Sequence, residues 1–383
     1  MSTNRQRIAV VGGGTAGCMV VSHLANNTNH EIVLFEPGMM SPHDDQSRFF
    51  DVLSDHSLLR DIDGQVQARV LGGGSAINGM LLTGDVPEFA RGLVRRANES
   101  DIGPMGEFLL SNGGTFAHLW WNGGRWNPGR AVHHLLEEGR ITIVRNDVES
   151  IQVMNGRATG VETRNTEYPA DVVVVCAGAL RTPQLLIASH LMTHDQVTLR
   201  QHFALNFVVE LLSPSVAPFD TAVFQNIETS EGFIFMVNAY ERVSATDTSH
   251  ALLSIAHMNP RTSMFDVRAM KAAARHLGNL AKDLSAYQVF GSVHVDEHGT
   301  SLDQLLSFDD SDISGWLLHN VTPLAHPTSS CCHLVDGDGR VKGVNRLWLA
   351  DASVLRSSPT CTPAAPVTME AIRIAQTIAG EMS

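Results

Sequence analysis

Arg7–Gly38 reads RIAVVGGGTAGCMVVSHLANNTNHEIVLFEPG, and the reading of this stretch decides the fold. The apolar run Ile8–Val11 meets Gly12-x-Gly14-x-x-Gly17, a helical pattern of apolar positions follows, and a second apolar run, Ile32–Phe35, ends at Glu36. Strand, glycine turn, helix, strand and terminal acid in this register make a βαβ unit of the kind that binds a dinucleotide. Gly12 serves the tight turn, Gly14 the close approach of backbone to a pyrophosphate, and Gly17 the packing of helix on strand. The helix opening at Thr15 and Ala16 offers unpaired N–H groups and the positive end of its dipole to the phosphates. Glu36 suits ribose hydroxyls and repels a 2′-phosphate, which disfavours NADP; the motif alone does not separate FAD from NAD.

Working outward, 383 residues with 43% hydrophobic content supply one large or two medium packed domains. A net charge of −13 sets the chain against nucleic acid and anionic membrane surfaces and points to a small-molecule partner. No apolar stretch reaches the roughly 18 residues of a membrane span, and MSTNRQR runs straight into a strand, so a soluble, cytoplasmic protein is expected. Five cysteines, odd in number and without zinc spacing, suit a reducing compartment. The sequons at Asn27, Asn98 and Asn320 then carry little weight.

Three consecutive glycines in ARVLGGGSAINGM (Ala68–Met80) bring backbone close to something, by position a flavin rather than another protein strand. The Trp-rich stretch that follows leaves two readings open for Trp120, Trp121 and Trp126: a pocket lining, or the packing of a connection. Ala131–Glu138 reads as a helix, Ile141–Arg145 as a strand, and Ile151–Arg164 as a hairpin turning at Asn155-Gly156. YPADVVVVCAGAL (Tyr168–Leu180) is a strand buried on both faces, followed by a helix Thr182–Ser189 capped by Thr182 with Pro183 in its first turn. From Leu199 to Gly315 alternating runs such as FALNFVVELL and GFIFMVNAY give antiparallel strands, with an amphipathic helix over Thr262–Leu284. Val341–Met382 returns to strand, turn and helix, which completes the first sheet. The fold class is α/β plus α+β: a discontinuous Rossmann-like cofactor-binding domain (1–40, 66–85, 130–198 and 335–383) and an antiparallel-sheet substrate domain or cap (41–65, 86–129 and 199–334).

The opening βαβ unit, ARVLGGGSAINGM, GALRTPQLLIAS, AHPTSSCCHL and LADASVLRSSPTCTPAAP occur in an order and at intervals that resemble the glucose–methanol–choline (GMC) family of FAD-dependent oxidoreductases. The resemblance implies that Gly12, Gly14, Thr15, Ala16, Gly17 and Glu36 hold the ADP half of FAD. It implies too that Arg69, Gly72, Gly73, Asn78, Gly79 and Met80 flank the flavin, and that the backbone of Val148 meets adenine. Asp351 and Ala352 would hold the ribityl and pyrophosphate, and Pro363 would lead into a helix, starting near Pro366, whose N-terminus faces the flavin. Covalently flavinylated relatives carry a histidine where this chain has Ile77, so the FAD is expected to be non-covalent.

His326 stands at the family's catalytic histidine, and a neutral imidazole is a suitable base for an alcohol proton. His319 and His333 have no catalytic counterpart in the motif. The family's second catalytic position, usually His or Asn, falls on Thr362, which can hydrogen-bond a substrate oxygen but cannot act as a base near neutral pH. Other departures are Ser329-Ser330 in place of Gly-Thr, His333 in place of Met, Ser189–Met192 in place of Ser-Gly-x-Gly, and a short substrate region. A shortened cap suits a bulky or carrier-bound alcohol, or closure of the site by another subunit, so a homo-oligomer stays open. The expected activity is oxidation of CH–OH by hydride transfer to flavin N5, with oxygen or a quinone-like acceptor. The alternatives are a non-redox lyase or cyclase that uses His326 for proton transfer alone, and a non-catalytic flavin-binding subunit. Asp336–Gly343 reads as a turn, not a calcium loop, no metal is assigned, and Cys331-Cys332 read as small residues under the flavin.

Overall fold

A computed structural model describes residues 5–164 and 166–382. Its first sheet is built on β1 (Arg7–Val11), which leads through α1 (Thr15–Asn27) to β2 (Glu31–Phe35). Five parallel strands run in the order Leu347–Leu349, Val172–Val175, β1, β2, Thr142–Val144. The four valines Val172–Val175 lie in register with Ile8–Val11 and are fully buried, because helices cover both faces of a parallel sheet. One strand comes from near the chain's end, and the C-terminal helix Ala364–Met382 packs on α1.

The second sheet is antiparallel. Its strands run Phe290–His294, Phe203–Leu211, His250–His257, Ile234–Tyr240, Val223–Glu228 and Thr115–Phe116, and Thr322–Pro323 adds to Phe203–Ala204. The helix Val267–Asp283 covers one face, capped by Asp266, whose carboxylate accepts from the amides of Arg268 and Ala269. The period of two assigns the residues of Ile234–Tyr240. Phe235, Val237 and Ala239 enter the helix-covered core, whereas Met236, Asn238 and Tyr240 line a cavity on the other side.

Several boundaries differ from the expectations. The helix expected at Thr182 runs Gly178–Ala188. Gly178, with φ of +85°, turns the chain, and its amide donates to Asp351 Oδ2 at 2.8 Å. Thr182 is therefore inside the helix and donates its hydroxyl to the same oxygen at 2.6 Å instead of capping. The amphipathic helix starts at its aspartate cap, not at Thr262, and the last helix starts at Ala364, with Pro366 in the first turn where a missing N–H costs nothing. The hairpin does turn at Asn155-Gly156, both with positive φ (51° and 71°), as a two-residue turn of this type requires. Trp120 stacks on Trp126 with centroids 4.5 Å apart and Trp121 meets Phe219 edge-on, so of the two readings the aromatic stretch is packing.

A Cβ on Gly17 would lie 1.8 Å from the carbonyl oxygen of Gly12, so α1 could not stay seated on β1. Gly17→Ala should lower the unfolding free energy by about 2–3 kcal/mol. Gly74→Ala, where an added Cβ meets nothing within 4 Å, should leave it unchanged; urea unfolding of the two variants checks the contrast.

Candidate active site

A cavity of about 810 Å³ extends from the N-terminus of α1 to the polar side of the antiparallel sheet, at the upper end of the range for ligand sites of ~300–1,000 Å³. At its first end two glycine loops meet backbone to backbone. Gly72 N donates to Gly13 O at 2.8 Å, and a Cβ on Gly73 would lie 2.7 Å from Gly14 Cα. The crowding that demands glycine at Gly72 and Gly73 thus comes from the protein's own first loop and Asn127, a correction to the expectation that a flavin causes it. The Thr15 hydroxyl ties the loops together, donating to Gly72 O at 3.1 Å and bonding Ser75 Oγ at 2.7 Å. The N-cap residue of α1 is Gly14, which has no side chain to cap the helix, and the turn Gly14–Ala16 lines the cavity. An uncapped helix start in a glycine cradle fits a pyrophosphate.

Glu36 lies at the same end, 8% exposed, with Oε2 accepting from Gly13 N at 2.7 Å and Oε1 from Gly38 N at 2.6 Å. Burial raises its pKa, and the two amides oppose that rise. Gly12, Gly73, Asn78, Gly79, Met80, Val148, Ala352 and Pro363 also line the cavity. Gly17 and Gly72 stand behind the wall, and Arg69 is exposed outside it. Asp351 lines the cavity, but its carboxylate is occupied by Gly178 N, the Thr182 hydroxyl and Ser353 N. Cys331 and Cys332, expected under the flavin, are not among the lining residues; Cys331 is fully buried behind them. Arg125 went unnoticed in the sequence: 1% exposed and lowered by burial to about pKa 10, it donates to Asn78 O and Gln46 O and so braces the Asn78 loop from behind.

His326 lines the opposite end, half-buried. Its Nδ1 lies 3.1 Å from Nδ1 of His202, a fully buried ring whose Nε2 lies 2.9 Å from Pro359 O and 3.1 Å from Ser358 Oγ. Burial, then the neighbouring imidazole, lowers His326 to about pKa 3; burial lowers His202 to about 4. Both rings are therefore neutral at pH 7, with one N–H each. A carbonyl can only accept, so the His202 proton is on Nε2 and its Nδ1 carries a lone pair. His326 must then donate from Nδ1, which leaves its Nε2 as the free base. Periodicity gave no sign of His202, which stands alone before the strand Phe203–Leu211.

Thr362 also lines the cavity, yet its proton is committed to Leu81 O at 2.8 Å and its amide to Thr83 Oγ1 at 3.1 Å. It can accept from a substrate hydroxyl but cannot donate to one. Ser329, where the family motif has glycine, has φ of +67°, so the left-handed backbone persists with a serine in place. His319 and His333 are exposed.

Residues 241–371, which include His326 and Thr362, match the family model described as GMC oxidoreductase. Pyridoxine 4-oxidase from Mesorbium loti superposes with a TM-score of 0.80 over 97% of this chain and 99% of its own, at 15% identity. A formate oxidase variant from Aspergillus oryzae gives 0.75 over 100% and 99% at 15% identity, and a fungal aryl-alcohol oxidase 0.73 over 99% and 99% at 12%. The resemblance read from the sequence holds: the C-terminal third carries the GMC oxidoreductase pattern and the whole chain has the fold of GMC structures. FAD is the cofactor that this family implies. Among the described residues no helix is long and apolar enough to cross a membrane.

The histidine pair makes stability depend on pH. Each folded pKa lies below the unfolded value of about 6.5, so the folded state binds fewer protons than the unfolded one below that pH. The pair's contribution is complete above pH 6.5 and is lost as pH falls toward 4, with a limiting slope of about 1.4 kcal/mol per pH unit for each ring. In acid unfolding between pH 6.5 and 4.5, His202→Gln should show a shallower decline than the parent.

Proposed function

We propose that the protein oxidises an alcohol, with FAD bound non-covalently in the cavity and His326 as general base. The observation that carries this reading is the chain from Pro359 O through His202 to His326, which leaves one basic nitrogen at the cavity wall. Bound FAD supplies the hydride acceptor. Gly14–Ala16 and Glu36 would hold its ADP half, Asn78–Met80 and Pro363 its flavin half, and Ile77 lines the cavity with an apolar side chain that offers no nucleophile for a covalent link. The parallel-sheet region is the cofactor domain and the antiparallel sheet forms the substrate wall.

In this reading the substrate hydroxyl points at His326 Nε2, which takes its proton as the carbon gives up hydride. Burial keeps the ring neutral and ready at any pH above about 4, at the cost of weak basicity. Negative charge developing on the substrate oxygen raises the proton affinity of the ring as the proton moves. His202 is a positioning residue: its Nδ1 lone pair holds the His326 N–H away from the substrate. Thr362 accepts but does not donate, so it acts by fixing the loop before the last helix on Leu81 and Thr83. The neighbouring folds named as oxidases support dioxygen as the electron acceptor.

Anaerobic mixing with a panel of primary, secondary and aryl alcohols, followed by flavin absorbance, tests the reading. One class should bleach the flavin. His326→Gln should retain FAD and slow bleaching about 10²–10⁴-fold; equal rates in variant and parent would refute the base assignment. His202→Leu should slow bleaching about tenfold with little change in half-saturation, and leave the acid limb of the rate profile well below the ordinary imidazole value of about 6.5, because burial, the larger cause of the lowered pKa, remains. Substrate turnover without any change in the flavin spectrum would transfer the role of His326 to non-redox proton transfer.

A further inference from the structure

The substrate end of the cavity contains a polar group that the chemistry above does not use. Asn238 stands in the middle of the strand Ile234–Tyr240, on the face that supplies Met236 and Tyr240 to the wall, and is 3% exposed. Its Oδ1 is fully buried and has no hydrogen-bond partner among the described residues. A buried amide left unpaired is destabilising unless something else completes it. Across the sheet the same row continues through Ser254 and Asn206, both polar, where the rows on either side are Met236, Ala256 and Ala204, and Tyr240, Leu252 and Val208.

A second buried amide lines another part of the cavity. Gln201 is 2% exposed and lines the cavity, with Nε2 donating to Leu324 O at 3.2 Å and its carbonyl oxygen left over. The charged lining side chains, Glu36, Arg60, Asp147, Arg181 and Asp351, all lie on other segments; the antiparallel sheet and the His326 and Thr362 segments contribute none. Phe49, Met236 and Leu324 supply apolar wall. Neutral amides between apolar walls hold a neutral polar group well and give an anion no counter-charge.

We infer that Asn238 forms a specificity subsite for an uncharged alcohol that carries a second hydrogen-bonding group, such as a hydroxyl or amide, apart from its reacting carbinol. This inference rests on the alcohol-oxidising reading, because it takes the carbinol to be the group that meets His326. The amide has donor and acceptor atoms, so the subsite tolerates either polarity in the ligand but not a full charge. Discrimination arises because an apolar ligand leaves the Asn238 amide unpaired, and a carboxylate must shed its water with no cation to receive it.

The test separates binding from chemistry. Benzyl alcohol, para-hydroxybenzyl alcohol and para-carboxybenzyl alcohol are titrated into the FAD-loaded protein, with dissociation constants taken from calorimetry and from perturbation of the oxidised flavin spectrum under anaerobic conditions. The hydroxy compound should bind at least tenfold more tightly than benzyl alcohol, and the carboxylate more weakly than either. In Asn238→Leu the advantage of the hydroxy compound should vanish while benzyl alcohol binding stays within about twofold. Asn238→Ser, smaller and still polar, should keep part of that advantage and guards against a variant that fails to fold. Equal affinity of the parent for the hydroxy compound and benzyl alcohol, or an advantage that survives in Asn238→Leu, would overturn the subsite. Discrimination in binding without bleaching by either alcohol would leave the subsite standing and refute the oxidation reading instead.

Discussion

The structure depends on a contact between two pieces of bare backbone. Gly13 O receives the amide of Gly72, Gly73 packs on Gly14, and no side chain fits between the loops. Because the N-cap residue of α1 is Gly14, the first amides of the helix are left without a side-chain cap at the cavity wall. A glycine stands where a capping side chain would ordinarily sit, and an uncapped helix start of this kind suits an anion. At Glu36 one carboxylate holds the amides of Gly13 and Gly38 while lining the cavity itself.

A second constraint operates at the far end. His202 is buried against Pro359, Ser358 and His326, and among the described residues no carboxylate orients the pair. A carboxylate partner would favour the imidazolium strongly; the Pro359 carbonyl favours it only enough to oppose part of the lowering by burial, and fixes the direction of the ring. The pair therefore fixes which nitrogen is basic and keeps it unprotonated over a wide pH range. Asp351 works similarly among backbone groups: it joins the start of the helix Gly178–Ala188 to Ser353 on the segment that follows the last strand.

Much of this was legible in the chain. Ile8–Glu36 carries strand, turn, helix and strand signals that agree with each other, and four consecutive valines can hardly be anything but a buried parallel strand, so the first sheet could be read almost to the residue. His326 and Thr362 were marked by motif position, and both line the cavity. What was hidden depends on contacts far apart in sequence. The start of the helix at Gly178 is set by Asp351, 173 positions away, and the partner of His326 lies 124 positions before it. The glycines at Gly72 and Gly73 were recognised as sites of close approach, but local sequence cannot say what approaches. Arg125 and Asn238 looked like ordinary surface or strand residues until topology enclosed them.

The placement of Leu347–Leu349 and of the helix Ala364–Met382 beside β1 and α1 also bears on synthesis of the chain. At translation rates of about 5–20 residues per second, tens of seconds separate the appearance of β1 from that of the segment that closes its sheet. Through that interval the Val172–Val175 edge is unpaired and the apolar side of α1 that meets the last helix is uncovered, a state open to aggregation. The loop at Gly14 and the wall at Pro363 first coexist when the helix Ala364–Met382 emerges, so the cavity is completed together with the sheet beneath it.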